Sequence, residues 1–525
     1  MVTSTANSAR TEVRPAEQNG ISIGLGVFAT TDIKKSADIV VLDQPPIALV
    51  EEKQLKNICS GCYDVGKGGS IDNRRPGLVK ACVRCKVVSY CDKNCQRKDW
   101  KAGHSLECSI YAKLHPKVLP LPVRAILRIV LCWKNDKIPK EVWDEFNALT
   151  FPKIYEGESQ EARDHALMTK AVMEYGNLKD LDPDWMKELF GKLNANSFTL
   201  TTAYGRRRGV YLHPGAARFN HSCDPNASYS FDKGKLYVRA IRPIAKDEQI
   251  SIPYIDVTYS VGTRRHELKD RYKFDCRCTR CQHDMDTIKP EEIKKRGELE
   301  QSTNSKIDDI VKSSSASASG TGFATAWKLS SMIRKLSEKT DWDAVNTQQQ
   351  PLAALRTEIM LCKAHDQMYK QSAVDAAVRH LRTDPTQYPD ECHPMRREHA
   401  YEFFWHLLYA DKAMEMQGDP KGYDSPFDIH EIKPLFYAWM VLNWMLYGNV
   451  QGEIIAGTRK LMDEVVWPNP TLKAQAENDI VWVTEDLCAA GMLWEHRDKN
   501  IAKHLKSMEE IVETTLKQEK RNTWG

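Results

Sequence analysis

The sequence predicts an α+β fold: a β-rich domain interrupted by a zinc finger, a second zinc-bound segment behind it, and an all-α C-terminal domain. Three observations point there. Cysteines cluster in two places, short strand-like runs separated by turn residues fill 209–254, and apolar residues recur at helical spacing over 110–193 and again from 323 onward. A chain of 525 residues has room for about three domains. Its 42% hydrophobic and 28% charged residues allow real cores to be buried, which excludes wholesale disorder. The net charge of +4 is too small for a chain built to bind nucleic acid by electrostatics, and Arg206-Arg207-Arg208 reads as a solvated loop. The polar stretch from Met1 to Gly20 carries no apolar h-region, so no secretory signal is expected. The longest apolar run, Leu435 to Tyr447, is thirteen residues long and interrupted by Asn443. That is short of the roughly 20 needed to span a bilayer and reads as a buried core helix of a soluble, intracellular protein.

The cysteines carry the most information. Of fifteen, seven fall between Cys59 and Cys108, and three more are Cys276, Cys278 and Cys281. In a reducing compartment such clusters are metal sites rather than disulfides. The first cluster reads as four pairs: Cys59/Cys62, Cys82/Cys85, Cys91/Cys95 and His104/Cys108. Eight ligands suffice for two tetrahedral zinc ions, because a gap of two or three residues lets both side chains of a pair turn onto one ion. Closed shells of this kind are structural, and in a segment poor in large apolar residues metal binding supplies much of the folding energy. Spacing leaves sequential and cross-braced pairing both open. Flanked by Tyr90-Cys91, Cys95-Gln96, Asp99-Trp100 and Glu107-Cys108, the cluster resembles a MYND finger. That resemblance implies a cross-brace: Cys59, Cys62, Cys91 and Cys95 on one zinc, Cys82, Cys85, His104 and Cys108 on the other. A RING finger would need a Cys-x-His element and a final Cys-x2-Cys, which this segment lacks. The loop from Val65 to Lys80 is longer than the family spacing, an insertion that a loop tolerates at little cost.

The second constellation is Asn220-His221-Ser222-Cys223-Asp224-Pro225-Asn226, a turn by composition. It follows a strand-like Gly209–Leu212. After it come Ala227–Phe231 and Leu236–Ile241, joined at Asp232-Lys233-Gly234-Lys235 as a hairpin. Then comes Glu248–Tyr254, a strand ending in a tyrosine, and further on Cys276-Arg277-Cys278-x2-Cys281. Three cysteines are one short of a tetrahedral site, and Cys223 can supply the fourth if the chain folds back. In this order the motifs resemble a SET domain with a cysteine-rich post-SET segment. Asn194–Thr199 and the Gly24-Leu25-Gly26 strand extend the likeness. With the finger inserted, the order resembles the SET and MYND-type (SMYD) family of protein lysine methyltransferases over about residues 20–285.

The resemblance implies methyl transfer from S-adenosyl-L-methionine to a lysine of a histone or non-histone protein, with three zinc ions per chain. It makes Tyr254 the catalytic residue that orients the amine and the transferring methyl. Gly24, Leu25, Gly26, Asn196, Asn220, His221, Tyr254 and Phe274 would bind the cofactor. Asn220 offers both donor and acceptor to the methionine moiety, and His221 contributes its backbone to the adenine. Phe198 and Tyr272 would wall the lysine channel. Cys223, Cys276, Cys278 and Cys281 would clamp the post-SET segment. The family often places a basic residue before the Gly-x-Gly and a polar or basic one within it; here stand Ile23 and Leu25. That leaves cofactor affinity reduced or supplied elsewhere. Pro253 removes a backbone donor and suits a strand end. An inactive SET domain serving as a MYND adaptor for proline-rich peptides is the competing expectation.

The implied layout is a disordered N-terminus (1–19), SET start (20–58), finger (59–108), helical insert (109–193), SET core (194–257), post-SET segment (258–285), linker (286–322) and helical domain (323–525). In the insert Val123, Ile126, Leu127 and Val130 share a helical face. Ser313–Gly320 reads as a flexible linker. A tetratricopeptide-like tail comes from the family alone, since no 34-residue repeat is present. Cys132, Cys362, Cys392 and Cys488 lie in helix-like surroundings and read as ordinary thiols. The resemblance further implies a monomer without membrane or direct nucleic-acid partners, in nucleus or cytoplasm.

Overall fold

The computed structural model describes residues 10–18, 20–43, 45–64, 79–151, 160–201, 207–315, 321–339, 348–390, 393–396, 398–400, 402–403, 406, 510 and 513–514. These fall into two compact units, Met1–Tyr254 with Glu267–Cys278, and Ile255–His266 with Thr279–Gly525.

The first unit opens with a hairpin of β1 (Thr11–Gln18) and β2 (Ile21–Ala29), paired from Thr11↔Ala29 to Gln18↔Ile21. Gly20, at φ 73°, supplies the left-handed backbone that so short a turn demands. Here the expectation of a disordered 1–19 is corrected for Thr11–Gln18. Charged Glu12, Arg14 and Glu17 hide the strand from a hydrophobicity reading because it is an edge strand that buries only Ala16. Strands β3 (Asp38–Leu42) and β4 (Ile47–Val50) follow, and then the finger with β5 (Lys80–Ala81), β6 (Ser89–Tyr90), α1 (Lys93–Asp99) and α2 (Ser105–Leu114). Residues 65–78 of the long finger loop lie outside the described residues.

The helical insert comprises α3 (Leu121–Lys134), α4 (Lys140–Asn147), α5 (Gln160–Tyr175) and α6 (Pro183–Asn196). Helix α3 is buried nearly all round, and its Val123, Ile126, Leu127 and Val130 belong to one core that reaches from the finger to α6. The remaining strands are β7 (Phe198–Thr201), β8 (Arg207–Leu212), β9 (Asn220–His221), β10 (Ala227–Asp232), β11 (Lys235–Ala240) and β12 (Gln249–Ile252). Three sheets result, ordered β1-β2-β12-β9, β10-β11-β3 and β4-β8-β7, with Val27, Ile39, Leu42, Phe219, Phe231, Ile250 and Ile252 in their common core. The expected hairpin is present between β10 and β11, with Lys233 and Gly234 at φ 48° and 79° as a two-residue primed turn needs. Arg208, expected in a solvated loop, is instead buried in β8 and donates to Gln54 Oε1 at 3.0 Å. Arg207 is exposed, and residue 206 lies outside the described residues.

Helix α7 (Val261–Tyr272) contributes residues to both units. The second unit then contains α8 (Thr279–Thr287), α9 (Pro290–Ser315), α10 (Thr321–Lys339), α11 (Leu352–His365), α12 (Tyr369–Val378) and α13 (Asp384–Gln387). Its core gathers Ile307, Leu329, Leu352, Leu355 and Ile359. The fully buried Glu300 accepts from Ser260 Oγ and Thr263 Oγ1, each at 2.6 Å. The expected linker over 286–322 is corrected here, because most of it is α9. Serines at the end of α9 do not break it, since Ser313 Oγ bonds back to the Ile310 carbonyl at 2.8 Å. Residues 316–320, Cys392, Cys488, the run Leu435–Tyr447 and most of the expected helical domain after 406 lie outside the described residues. Among the described residues no helix is long and apolar enough to cross a membrane.

Candidate active site and zinc centres

The ligand atoms of Cys59, Cys62, Cys91 and Cys95 lie within 4.8 Å of one another, as do those of Cys82, Cys85, His104 and Cys108. This is the cross-braced pairing. The separations fit a shared ion: Cys62 and Cys91 sulfurs stand 3.6 Å apart, Cys82 and Cys108 sulfurs 3.8 Å, and Cys85 Sγ lies 3.7 Å from His104 Nε2. Ligands at about 2.3 Å from a tetrahedral zinc are about 3.8 Å from each other. The donor chemistry agrees. A hydrogen bond from Cys62 draws the Cys59 thiol down to about 5, while that same bond pushes Cys62 up, and burial pushes Cys91 up to about 12. Such crowded thiols can all ionise only around a cation. Cys223, Cys276, Cys278 and Cys281 form a third set, all buried and within the same 4.8 Å. All three sets suit zinc.

Local structure explains why the finger's flanking residues recur. Asp92 caps α1, accepting from the backbone of Asn94 at 2.8 Å and Cys95 at 3.0 Å, and so fixes the Cys95 ligand. Arg128 of α3 is buried between two finger acids. It donates to both Glu107 oxygens at 2.9 and 2.7 Å and to Asp99 Oδ1 at 2.9 Å. Tyr90 donates to the other Asp99 oxygen at 2.7 Å. Burial opposes the Glu107 charge, but Arg128 outweighs it and holds the carboxyl at about 2. Glu107 Oε2 lies 3.8 Å from His104 Nδ1, the ring nitrogen turned away from the ligand set. An acid behind a ligating histidine orients the ring. Arg128 escaped the sequence reading, although two arginines four residues apart, Arg124 and Arg128, inside an otherwise apolar helix were a usable signal. Arg124 donates to the Val50 carbonyl at 2.8 Å.

The motif at Asn220 is not a plain turn. Asn220 and His221 form β9, parallel to Ser251 and Ile252 of β12. In the sheet order β12 lies between them and β2, and the Asn220 side chain reaches across, its Nδ2 donating to the Leu25 carbonyl at 3.0 Å. Gly24 takes φ 88°, and a Cβ on Gly26 would stand 2.6 Å from Gln249 Nε2 and 2.9 Å from Asn220 Nδ2. Both glycines are therefore required by the backbone and by the close approach of the Asn220 side chain. Ile23 and Leu25 are exposed on this strand.

His221 does more than the sequence assigned to it. Its Nδ1 accepts the Tyr254 backbone N–H at 3.0 Å, so its proton is on Nε2, which faces Cys223 Sγ at 3.2 Å. One buried imidazole thus links the tyrosine backbone to a zinc thiolate. Pro253 follows the end of β12, as expected, and Tyr254 turns inward. Its hydroxyl donates to the Phe219 carbonyl at 2.6 Å, and burial raises its pKa well above the usual phenol range.

Tyr254 lines a narrow cavity of about 50 Å³ together with Asn196, Phe198, Ala217, Tyr229, Arg271 and Tyr272. The Tyr254 and Tyr272 rings lie 5.0 Å apart, the Phe198 and Tyr229 rings meet edge-on at 5.1 Å, and Phe274 stands 6.2 Å from the His221 ring. The expected aromatic residues therefore come together, with Tyr229 added, its signal hidden in the strand alternation of β10. Asn196, expected on the cofactor, lines this cavity and spends its amide N–H groups on the carbonyls of Thr150 and Lys192, each at 2.9 Å. Of the remaining thiols, Cys132 is buried in α3, and Cys362 is half-buried in α11.

The SET domain family matches residues 24–255. Those residues carry the SET domain, and the chain is similar to SET and MYND-type proteins. It is 30% identical over 281 residues to SET domain and MYND-type zinc finger protein 6 of Schizosaccharomyces pombe, covering 53% of this chain and 54% of that one. It is 33% identical over 208 residues to Histone-lysine N-methyltransferase SMYD3 of Mus musculus, 38% of this chain and 48% of the other. Histone-lysine N-methyltransferase ASHR1 of Arabidopsis thaliana matches at 27% over 285 residues, 53% of this chain and 56% of its own length. The matches span about half the length of these curated relatives. The SET match begins at the β2 glycines and ends one residue after Tyr254, so the finger and the helical insert lie within it.

Proposed function

We propose that the chain is a protein-lysine N-methyltransferase acting with S-adenosyl-L-methionine on a histone or non-histone protein. One observation carries this reading: Tyr254, half-buried and protonated, stands in a narrow aromatic cavity two residues beyond β12, the strand that pairs with both β2 and β9, where Asn220 reaches the Leu25 carbonyl. The residues present fit the cofactor. The open backbone at Gly24, the Asn220 amide and the aromatic faces of Phe274 and Tyr272 suit an amino-acid moiety and a sulfonium. When bound, the cofactor supplies a methyl group activated on a positively charged sulfur.

The chain's own task is to present a neutral amine in line. A lysine amine, ordinarily protonated below about pH 10.4, loses its charge more readily in a narrow, dry, apolar channel. The Tyr254 phenol donates its hydrogen bond to the Phe219 carbonyl, which leaves its oxygen lone pairs to accept an amine N–H. Tyr254 therefore orients the amine, and its raised pKa argues against a phenolate base at neutral pH. Proximity and alignment of this kind are worth several orders of magnitude in rate.

The family resemblance adds proline-rich peptide ligands for the finger, a monomeric chain and a nuclear or cytoplasmic location. The test begins with binding. S-adenosyl-L-methionine should raise the melting temperature of the zinc-loaded protein, and labelled methyl should pass to proteins of a cell extract. A zinc-loaded protein that binds no cofactor and labels nothing would leave the adaptor reading in its place.

A further inference from the structure

We infer that Arg271 selects an acidic side chain close to the target lysine, a specificity that rests on the methyltransferase reading above. Of the eleven residues lining the Tyr254 cavity, Arg271 alone carries a formal charge. Its side chain is exposed, and its guanidinium carbon lies 5.1 Å from the centre of the Tyr272 ring. The face of that ring attracts the cation. Tyr272 in turn lies against Tyr254, its hydroxyl 3.4 Å from the Tyr254 carbonyl. The charge thus lines the same cavity as the residue that orients the amine.

Two neighbouring acids are engaged by other cations. Asp270 is engaged by Lys273 at 3.9 Å, and Asp275 by Lys269 at 3.4 Å. Among the described residues Arg271 makes no ion pair. A guanidinium with open donors takes a carboxylate in two parallel hydrogen bonds. The same charge at the channel repels a second cation, so a lysine flanked by basic residues is disfavoured twice: the acid contact is missing and repulsion is added.

The test uses the full chain, labelled S-adenosyl-L-methionine and synthetic peptides with one central lysine, each position within about three residues of it varied in turn. Wild type should prefer Asp or Glu over Asn or Gln at one or more of these positions by about fivefold in kcat/KM, mainly through KM, with the preference shrinking as salt rises. Arg271→Gln should erase the preference, and Arg271→Glu should turn it toward Lys or Arg at the same position. Melting temperature and zinc content of the variants control for folding. Methylation by wild type without acidic preference, or a preference that survives Arg271→Gln, overturns the inference and leaves the enzyme standing. If wild type binds the cofactor yet methylates no peptide and no extract protein, the enzyme reading falls and this inference falls with it.

Discussion

The finger and the Tyr254 cavity lie in one compact unit and are ordered differently. In the finger, paired ligands within a short stretch converge on two ions, and a buried ion network ties α1 and α2 to Arg128 of α3. Around the cavity, position comes from three sheets whose partners are far apart in sequence, such as Val27 of β2 with Ile250 of β12. The finger is therefore specified by local spacing and metal binding. The cavity needs the long-range register to be complete before Asn220, His221 and Tyr254 meet.

The largest effect should come from stripping zinc. A structural zinc site contributes on the order of 10 kcal/mol to folding in small fingers. Chelation should release three ions per chain, counted with a colorimetric dye, and collapse the finger, read as lost near-ultraviolet dichroism. Next is Arg128→Met, which leaves Asp99 and Glu107 buried without their cation. It should cost about 3–5 kcal/mol in urea unfolding while cofactor affinity in the folded fraction stays near that of wild type. Equal loss of both would mean the two regions are not separable.

On the cavity side, Cys223→Ser should lower the zinc count from three to two and remove the thiolate facing His221. Cofactor affinity should fall about tenfold or more, by the usual size of effects around a metal ligand, with both finger ions retained. The smallest expected change is Tyr90→Phe. It strands one buried Asp99 oxygen at about 1–2 kcal/mol, measured as a drop in melting temperature with zinc content unchanged.

This contrast also explains what could be read from the sequence. All twelve ligands were legible because chelation demands close spacing and a restricted set of residue types. Helix α3 was legible from Val123, Ile126, Leu127 and Val130, and the β10–β11 hairpin from its Lys233-Gly234 turn. Strand β1 was not, since an edge strand with charged residues has no hydrophobic signature. The parallel pairing of β9 was hidden because two residues are too few to show a period, and their partners lie some thirty positions away. The side-chain work of His221, from Tyr254 N–H to Cys223, depends on tertiary approach alone. The Ser-rich end of α9 misled because its serines find helix carbonyls instead of opening a linker.

The most direct measurement compares wild type with Tyr254→Phe in labelled methyl transfer from S-adenosyl-L-methionine, alongside calorimetric binding of the same cofactor. The substitution removes only the hydroxyl that bonds Phe219 and faces the cavity. Unchanged cofactor binding with transfer reduced by at least about 100-fold is the result expected of a tyrosine that orients the amine. Transfer at the wild-type rate would contradict that role and with it the assignment of this cavity as the place where lysine is methylated.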